Sequence, residues 1–198
     1  MNDTLETIEY KDHTINIYSD TDPESPREWD NLGTMLCFHK RYSLGDKTEL
    51  KSDDFSSWDE VENYIVKELK AVVVLPLYLY DHSGLTIKIG SFYGLLPQGH
   101  AHFDSGQVGF IYATKKDIKD NWGIKRITKK KKDHTEKILR GEVETYDQYL
   151  RGDVYGYMIE GELSQDSCWG FYGMEEAINE AKSIVDYCVK EDSQKVKN

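Results

Sequence analysis

The chain has 198 residues, of which 38% are hydrophobic and 12% aromatic, and its formal net charge is −11 at pH 7. This apolar content excludes wholesale disorder, and the length predicts a single domain over residues 1–198. No apolar run reaches the roughly 18 residues needed to span a bilayer, and the N-terminus is polar and acidic, so we expect a soluble, unexported protein. The cysteines, Cys37, Cys168 and Cys188, lack the spacing of zinc or redox pairs and indicate reduced thiols in a cytosolic protein.

Charge is strongly segregated along the chain. Residues 1–60 carry 15 acidic and 6 basic side chains, whereas residues 115–140 carry 4 acidic and 11 basic ones. Residues 141–198 return to 13 acidic and 5 basic side chains. This dipolar pattern suits a charged protein partner or a nucleic-acid contact confined to one patch, and it suits equally a solvated lysine-rich helix that only maintains solubility.

The first third of the chain predicts two strands and a helix. Residues 1–27 are expected to form a peripheral strand, centred on Thr14–Tyr18, and an acidic connection, and Gly33–Phe38 is the next candidate strand. Ser57 and Glu60 have the spacing of a capping box. The apolar residues that follow repeat at helical spacing, which predicts a helix of about three turns.

The middle of the chain predicts a hairpin and then a long loop. Ala71–Tyr80 is apolar and β-branched, and its Pro76 indicates an edge or bulge position. Asp81–Gly84 is the expected turn, and Leu85–Ile89 alternates as a half-buried antiparallel strand. Residues 90–106 have no periodicity, which is typical of a functional or mobile loop.

The following segment predicts a strand and two helices. Gln107–Ala113 is strand-like, Thr114–Asp117 has the form of a helix cap, and Gly123 is placed to end that helix. A longer helix follows. Its inward face consists of Leu139, Val143, Tyr146 and Leu150.

The C-terminal part predicts a strand at Val154–Glu160 and a last helix opened by Glu175 and Glu176, with residues 191–198 as a frayed polar tail. Strands and helices do not alternate regularly. We therefore expect an α+β fold, with a mainly antiparallel sheet of about five or six strands and three or four helices packed on one face.

One segment has the residue types of a metal site. If Gly99–Asp104 is extended, His100, His102 and Asp104 point to one side and offer two imidazoles and a carboxylate. The same residues also suit a flexible polar loop. We predict no cofactor and keep this triad as an alternative metal site.

Three turns share an Asp with small polar neighbours and form the alternative ligand or catalytic site. Nucleophile, base and orienting groups of a hydrolase occur among them, as does a thiolate pair of Cys168 with His82 or His39, although ordinary turn hydrogen bonding explains them too. No glycine-rich phosphate loop is present. The residues of this alternative site are Asp81, His82, Ser83, Asp104, Ser105, Asp166 and Cys168.

Five segments together resemble an uncharacterised family of small acidic accessory proteins encoded by bacteriophages and other mobile elements. They are Asp30–Met35, Leu75–Gly84, Asp104–Gly109, Arg140–Leu150 and Asp166–Gly173. The resemblance implies an accessory protein that acts on a host system in the host bacterial cytoplasm, and it implies no catalytic residue.

The resemblance and the acidic net charge favour a non-enzymatic inhibitor of a host defence complex, of the anti-CRISPR or anti-restriction type. Its partner would be a host nuclease or its nucleoprotein complex. The alternatives are a metal-assisted hydrolase or small-ligand-binding protein built on the sites above, and a nucleic-acid binder that uses the lysines. The predicted partner-binding residues are Lys115, Lys116, Lys129, Lys130, Lys131, Lys132, Asp53 and Asp54.

Overall fold

A computed structural model describes residues 3–96, 99–161 and 165–195, and the side chains of these residues up to 192. The chain forms two compact units. The central unit is Ser25–Leu150, and the terminal unit joins the described residues up to Glu24 with those from Arg151 onward. The single domain predicted from length thus contains two units, each with its own sheet, and the α+β class is confirmed.

The terminal unit is a four-stranded antiparallel sheet covered by one helix. The elements are β1 (Glu6–Tyr10), β2 (His13–Ser19), β7 (Val154–Gly161), β8 (Asp166–Tyr172) and α5 (Met174–Lys195). The strand order is β1-β2-β7-β8. The helix packs on the sheet through Ala177, Ala181 and Val185, all of which are fully buried.

The N-terminal strand is central to this unit, contrary to the peripheral position that we predicted. β2 lies between β1 and β7 and pairs with β7 along its whole length. Its Ile15 and Ile17 are fully buried, because they pack in the same core cluster as the inward residues of α5. The pairing of β2 with β7 joins segments more than a hundred residues apart, and no local pattern reveals it. At the other end, α5 continues to Lys195, so residues 191–195 of the predicted frayed tail are helical, and residues 196–198 lie outside the described residues.

The central unit is a second four-stranded antiparallel sheet, of order β3-β6-β4-β5. Its strands are β3 (Thr34–Cys37), β4 (Ala71–Asp81), β5 (Leu85–Ile89) and β6 (Ser105–Thr114). Its helices are α1 (Trp58–Lys67), α2 (His100–Phe103), α3 (Lys115–Trp122) and α4 (Lys129–Arg151). The eight described strands therefore form two sheets of four, where we predicted one sheet of five or six.

Helices cover both faces of the central sheet, which corrects the expectation of helices on one face. Phe110 and Tyr112 of β6 point to the side of α1, whereas Ile111 and Ala113 point to the side of α3 and α4. A strand that is buried on both faces has a continuous run of apolar residues, and β6 has such a run from Val108 onward. This run indicates a strand in the sequence, but the burial of both its faces follows only from the structure.

Local signals placed most of these elements correctly. The Ser57 hydroxyl accepts the Glu60 amide hydrogen at the start of α1, and Thr114 and Asp117 form a capping box at the start of α3. Gly123 ends α3 in the left-handed conformation, with φ of 59°. Pro76 lies where the paired stretch of β5 has ended, so its missing N–H costs no hydrogen bond with that strand.

A buried ion-pair network holds the segment before β3 against α4. The guanidinium of Arg27 donates two hydrogen bonds to the Asp46 carboxylate, each at 2.8 Å, one to Glu142 at 3.1 Å and one to the Gly33 carbonyl at 2.7 Å. Glu142 also accepts the backbone N–H groups of Leu32 and Gly33. Burial lowers the pKa of Arg27, but the hydrogen bonds and charges of the two carboxylates outweigh burial and raise it. All three guanidinium nitrogens and both carboxylates therefore have hydrogen-bond partners.

Within the described ranges, no helix has both the length and the apolar character needed to cross a membrane.

Candidate metal site

The segment predicted as an extended loop contains a helix, and this changes which side chains meet. His100–Phe103 forms the short helix α2, and β6 begins at Ser105. In a helix, residues four apart share a face whereas residues two apart do not. His100 and Asp104 therefore face the same side, and His102 lies elsewhere, with its Nδ1 3.0 Å from the Tyr93 hydroxyl. The predicted triad of His100, His102 and Asp104 is wrong in its second member.

His82 takes the place predicted for His102. It lies in the turn between β4 and β5, and its Nδ1 is 3.1 Å from Oδ2 of Asp104. Nδ1 of His100 is 3.9 Å from the same oxygen. One possible ligand atom from each of the three residues lies within 4.8 Å of the other two. A tetrahedral zinc ion with bonds of about 2.0 Å separates its ligand atoms by about 3.3 Å, so small side-chain adjustments suffice for ligation.

The backbone fixes the turn that carries His82 to the segment that carries Asp104. The N–H of Asp81 donates to the carbonyl of Asp104 at 2.9 Å, and Tyr80 pairs with Ser105 in the sheet. Two of the three ligands are thereby attached to adjacent, hydrogen-bonded strands. Their separation is set by the β-sheet.

Aromatic and charged neighbours orient the cluster. The Tyr80 ring stacks on His82 with 5.8 Å between centroids, and its hydroxyl lies 3.3 Å from Nδ1 of His100. Asp81, which precedes His82, forms an ion pair with the Arg41 guanidinium. Hydrogen-bonded outer groups of this kind set ring orientation in metal sites.

Solvent reaches the cluster. The side chains of His82, His100 and Asp104 are 48%, 39% and 32% exposed. An ion bound there would have three protein ligands and at least one position open to water, which is the arrangement of catalytic zinc sites and not of closed structural ones. The geometry therefore combines metal-ligating atoms with access.

The other residues of the predicted site have different positions. Ser83 is exposed at the hairpin turn, with φ of 58°, and Ser105 donates its hydroxyl hydrogen to the carbonyl of Ala101. Asp166 and Cys168 belong to β8 of the terminal unit, where both are exposed. Of the three Asp-containing turns, the structure brings together the first two.

The members of the predicted thiolate pair belong to different units. His39 stacks on Tyr42 in the central unit, at 4.9 Å between ring centroids, and Cys168 belongs to β8 of the terminal unit. Cys37 is buried, and burial, followed by the charge of Asp46, raises the pKa of its thiol to about 12. A neutral buried thiol is a poor nucleophile.

The predicted partner-binding residues are exposed or half-buried on separate elements. Lys115 and Lys116 open α3, and Lys129–Lys132 form the first turn of α4. The lysine run contains no aromatic residue, but the fold places the Lys131 amino group 4.4 Å from the centroid of the Trp122 ring. Asp53 and Asp54 lie in a short 3-10 turn that precedes α1.

Sequence reasoning missed His82 as a partner of His100 because the two are joined only by the register between β4 and β6. The sequence feature that could have pointed to His82 is its position in a predicted hairpin turn, next to a strand that was expected to pair within the same sheet. No family model, curated protein or solved structure matches this chain. The interpretation of the site therefore rests on its geometry.

Proposed function

We propose that the protein binds a divalent transition metal, of the Zn²⁺ type, through His82, His100 and Asp104. The observation that carries this proposal is the common position of the three ligand atoms, within 4.8 Å of one another on the surface of the central unit. Two imidazoles and one carboxylate are ligands that suit zinc and neighbouring transition metals. The proposal replaces the triad inferred from sequence and keeps two of its residues.

The chemistry that such a site supports is hydrolysis. A zinc ion with three protein ligands keeps a position for water and lowers the pKa of that water towards 7, which makes hydroxide available at neutral pH. The exposure of all three side chains allows a substrate to approach. We therefore propose that the protein is a metal-assisted hydrolase, which is the enzyme alternative given in the sequence analysis.

The test of binding is isothermal titration of the metal-free protein with Zn²⁺, together with metal analysis by mass spectrometry. The variants are H82A and H100A, and the matched control is H102A, which removes an exposed imidazole from the same short helix. We expect one ion per chain, an affinity loss of at least about 100-fold in H82A and H100A, and wild-type affinity in H102A. Loss of affinity in H102A with normal binding in H82A would reject this set of ligands.

The hydrolytic step has a separate test. Zn²⁺-loaded protein is assayed on bis(p-nitrophenyl) phosphate and p-nitrophenyl acetate, with H102A as the positive control and H82A as the negative one. We expect turnover that requires added metal and His82. Stoichiometric binding without turnover of either ester would contradict the hydrolase proposal and leave the metal site standing.

We propose, as a second candidate, that the protein inhibits a host defence complex in the bacterial cytoplasm. The observation that favours it is the first turn of α4, which consists of Lys129–Lys132 and contains no acidic residue. Cations are disfavoured at the positive end of a helix dipole, so four lysines there oppose local stability. Local rules are broken in this way mostly at functional surfaces, and an anionic partner would compensate the cost.

This second candidate is tested by cleavage assays with host restriction and CRISPR nucleases, and by phage plating on defended hosts. The variant K129Q/K130Q/K132Q removes charge from the first turn of α4, and K182Q/K190Q in α5 is the matched control. We expect inhibition that is lost in the first variant and kept in the second. Unchanged cleavage and plating with wild-type protein would exclude it. Retention on heparin with no effect on nucleases would point to nucleic-acid binding instead.

A further inference from the structure

A second site lies on the central unit, at the start of α1. A pocket of about 820 Å³ opens between the segment after β3, the 3-10 turn Ser52–Asp54 and the first residues of α1. Pockets of about 300–1,000 Å³ are the usual size for small-molecule ligands. It shares none of the three metal ligands proposed above.

One wall of the pocket is aromatic. Phe38 and Trp58 are stacked, with 6.2 Å between centroids and 19° between planes, and Phe55 lies 6.1 Å from Phe38. All three rings are half-buried, because one side packs on the core while part of each ring remains accessible. The edge-to-face contact of Trp58 with buried Phe110 anchors this wall to the sheet. Aromatic side chains of this kind are able to stack with the ring of a ligand.

The lining also contains cationic and hydroxyl-bearing residues. Lys40, Lys47 and Lys51 line the pocket, as do Ser43 and Thr48. Across the described part of the chain, none of these three lysine amino groups has an ion-pair partner. Their charge is therefore available to a ligand.

Asp46 is the single acidic residue among the described lining residues. It accepts two hydrogen bonds from the buried Arg27, which lessen the repulsion of its carboxylate towards an anion. Three lysines that have no ion-pair partner among the described residues line this one pocket and attract anions to it.

We propose that this pocket binds a small molecule that joins an aromatic ring to a phosphate, of the nucleoside monophosphate class. The ring stacks on the wall of Phe38, Phe55 and Trp58, and the phosphate meets the lysines. The lysines supply point charges for the phosphate and the hydroxyls donate further hydrogen bonds. The aromatic wall and the charge are separate features of the same pocket, so each requirement is testable alone.

The experiment is isothermal titration of the full chain, without added metal, with AMP, adenosine and inorganic phosphate. We expect AMP to bind at least tenfold more tightly than either adenosine or phosphate. The variant K47Q/K51Q should lower AMP affinity about tenfold, in line with the strength of two exposed charge contacts, and raised salt should lower it further. The control K67Q/K137Q removes two exposed lysines from α1 and α4 that do not line the pocket, and it should bind AMP like the wild type.

Three results would overturn the proposal. The first is that adenosine binds as tightly as AMP, which would remove the need for the lysines. The second is that the control variant loses as much affinity as K47Q/K51Q. The third is that no heat is observed at millimolar AMP. Circular dichroism of each variant confirms that the fold is kept. Because neither the metal ligands nor added metal take part, failure here leaves the metal proposal intact, and failure of the metal proposal leaves this one intact.

Discussion

Two clusters of charged groups in the central unit have opposite character. Arg27, with Asp46 and Glu142, is almost fully enclosed, since the Arg27 side chain is 4% exposed, and its guanidinium donates hydrogen bonds to three different residues. His82 comes from one segment, and His100 and Asp104 come from another, but their side chains are 32% to 48% exposed. Both clusters contain acids and bases in contact.

The difference shows how a structural ion pair is distinguished from a site. Buried charges are stable only when every polar atom has a partner, and the Arg27 network meets this condition with side chains and backbone groups of its own unit. The histidine cluster has ring nitrogens and carboxylate oxygens that solvent reaches. Such atoms are able to bind an ion or a substrate, so we assign stability to the first cluster and chemistry to the second.

The largest effect is expected from R27M. Removal of the guanidinium leaves Asp46 and Glu142 without their counter-charge in a largely buried setting, and loss of one partner of such a pair costs about 3–5 kcal/mol. The measurement is the free energy of unfolding in urea. The control is R140M, which removes an exposed arginine paired with Glu136 and should change stability by about 0.5 kcal/mol or less. Equal losses in the two variants would remove the distinction between the clusters.

Cys37 tests whether the region around Arg27 is closed. Burial, followed by the charge of Asp46, raises the pKa of its thiol from 9.0 to about 12, so its thiolate fraction at pH 8 is about a thousandfold below that of an ordinary thiol. We expect iodoacetamide to modify the exposed Cys168 rapidly and Cys37 only after unfolding in urea, as mapped by mass spectrometry. Rapid native labelling of Cys37 would show that the region opens.

The raised pKa of Cys37 also predicts how stability depends on pH. The contribution of this thiol to the free energy of unfolding is complete below pH 9 and is lost as pH rises towards 12.

D104N tests the other side of the comparison. The amide keeps the shape of the carboxylate but lacks its charge, so Zn²⁺ affinity should fall at least about 100-fold. Stability of the metal-free protein should change by about 0.5 kcal/mol or less, because Asp104 is a partly exposed side chain outside the buried network. Titration calorimetry and urea unfolding measure the two quantities on one preparation. A large loss of stability would make Asp104 a structural residue instead.

Elements with local signals were predictable from the sequence, and contacts between distant segments were not. The capping residues Ser57 and Thr114 and the turn at Asp81–Gly84 depend on neighbours within four residues, and all are confirmed. Arg27 was not singled out, because its partners lie 19 and 115 residues away.

The metal-binding triad predicted from the sequence was wrong for a related reason. The alternation of His100, His102 and Asp104 predicts an extended segment, whereas the chain makes one helical turn before β6. Because of this helical turn, His102 does not join the cluster, and His82 from the β4–β5 hairpin takes its position beside Asp104. Spacing alone does not distinguish the two conformations in so short a segment.

The smallest effect is expected at an exposed ion pair, which belongs to neither cluster. In the terminal unit, Lys11 lies 2.6 Å from the carboxylate of Asp186, and the Tyr10 hydroxyl donates to the same oxygen at 3.0 Å. These hydrogen bonds lower the pKa of Asp186 below its usual 3.8. A lowered pKa stabilises the folded state above the ordinary value, and this contribution is lost as pH falls from 3.8 towards the folded value.

We therefore expect D186N to be slightly less stable than the wild type at pH 7, with a difference that stays constant down to about pH 5 and shrinks below pH 4. Urea midpoints measured across this range give the profile, and added salt should reduce the difference because the pair is open to solvent. The matched variant D192N removes an acid from the same helix. If its profile has the same shape, the pH dependence reflects the general acidity of the chain, and the contrast between paired and unpaired carboxylates does not extend to the surface.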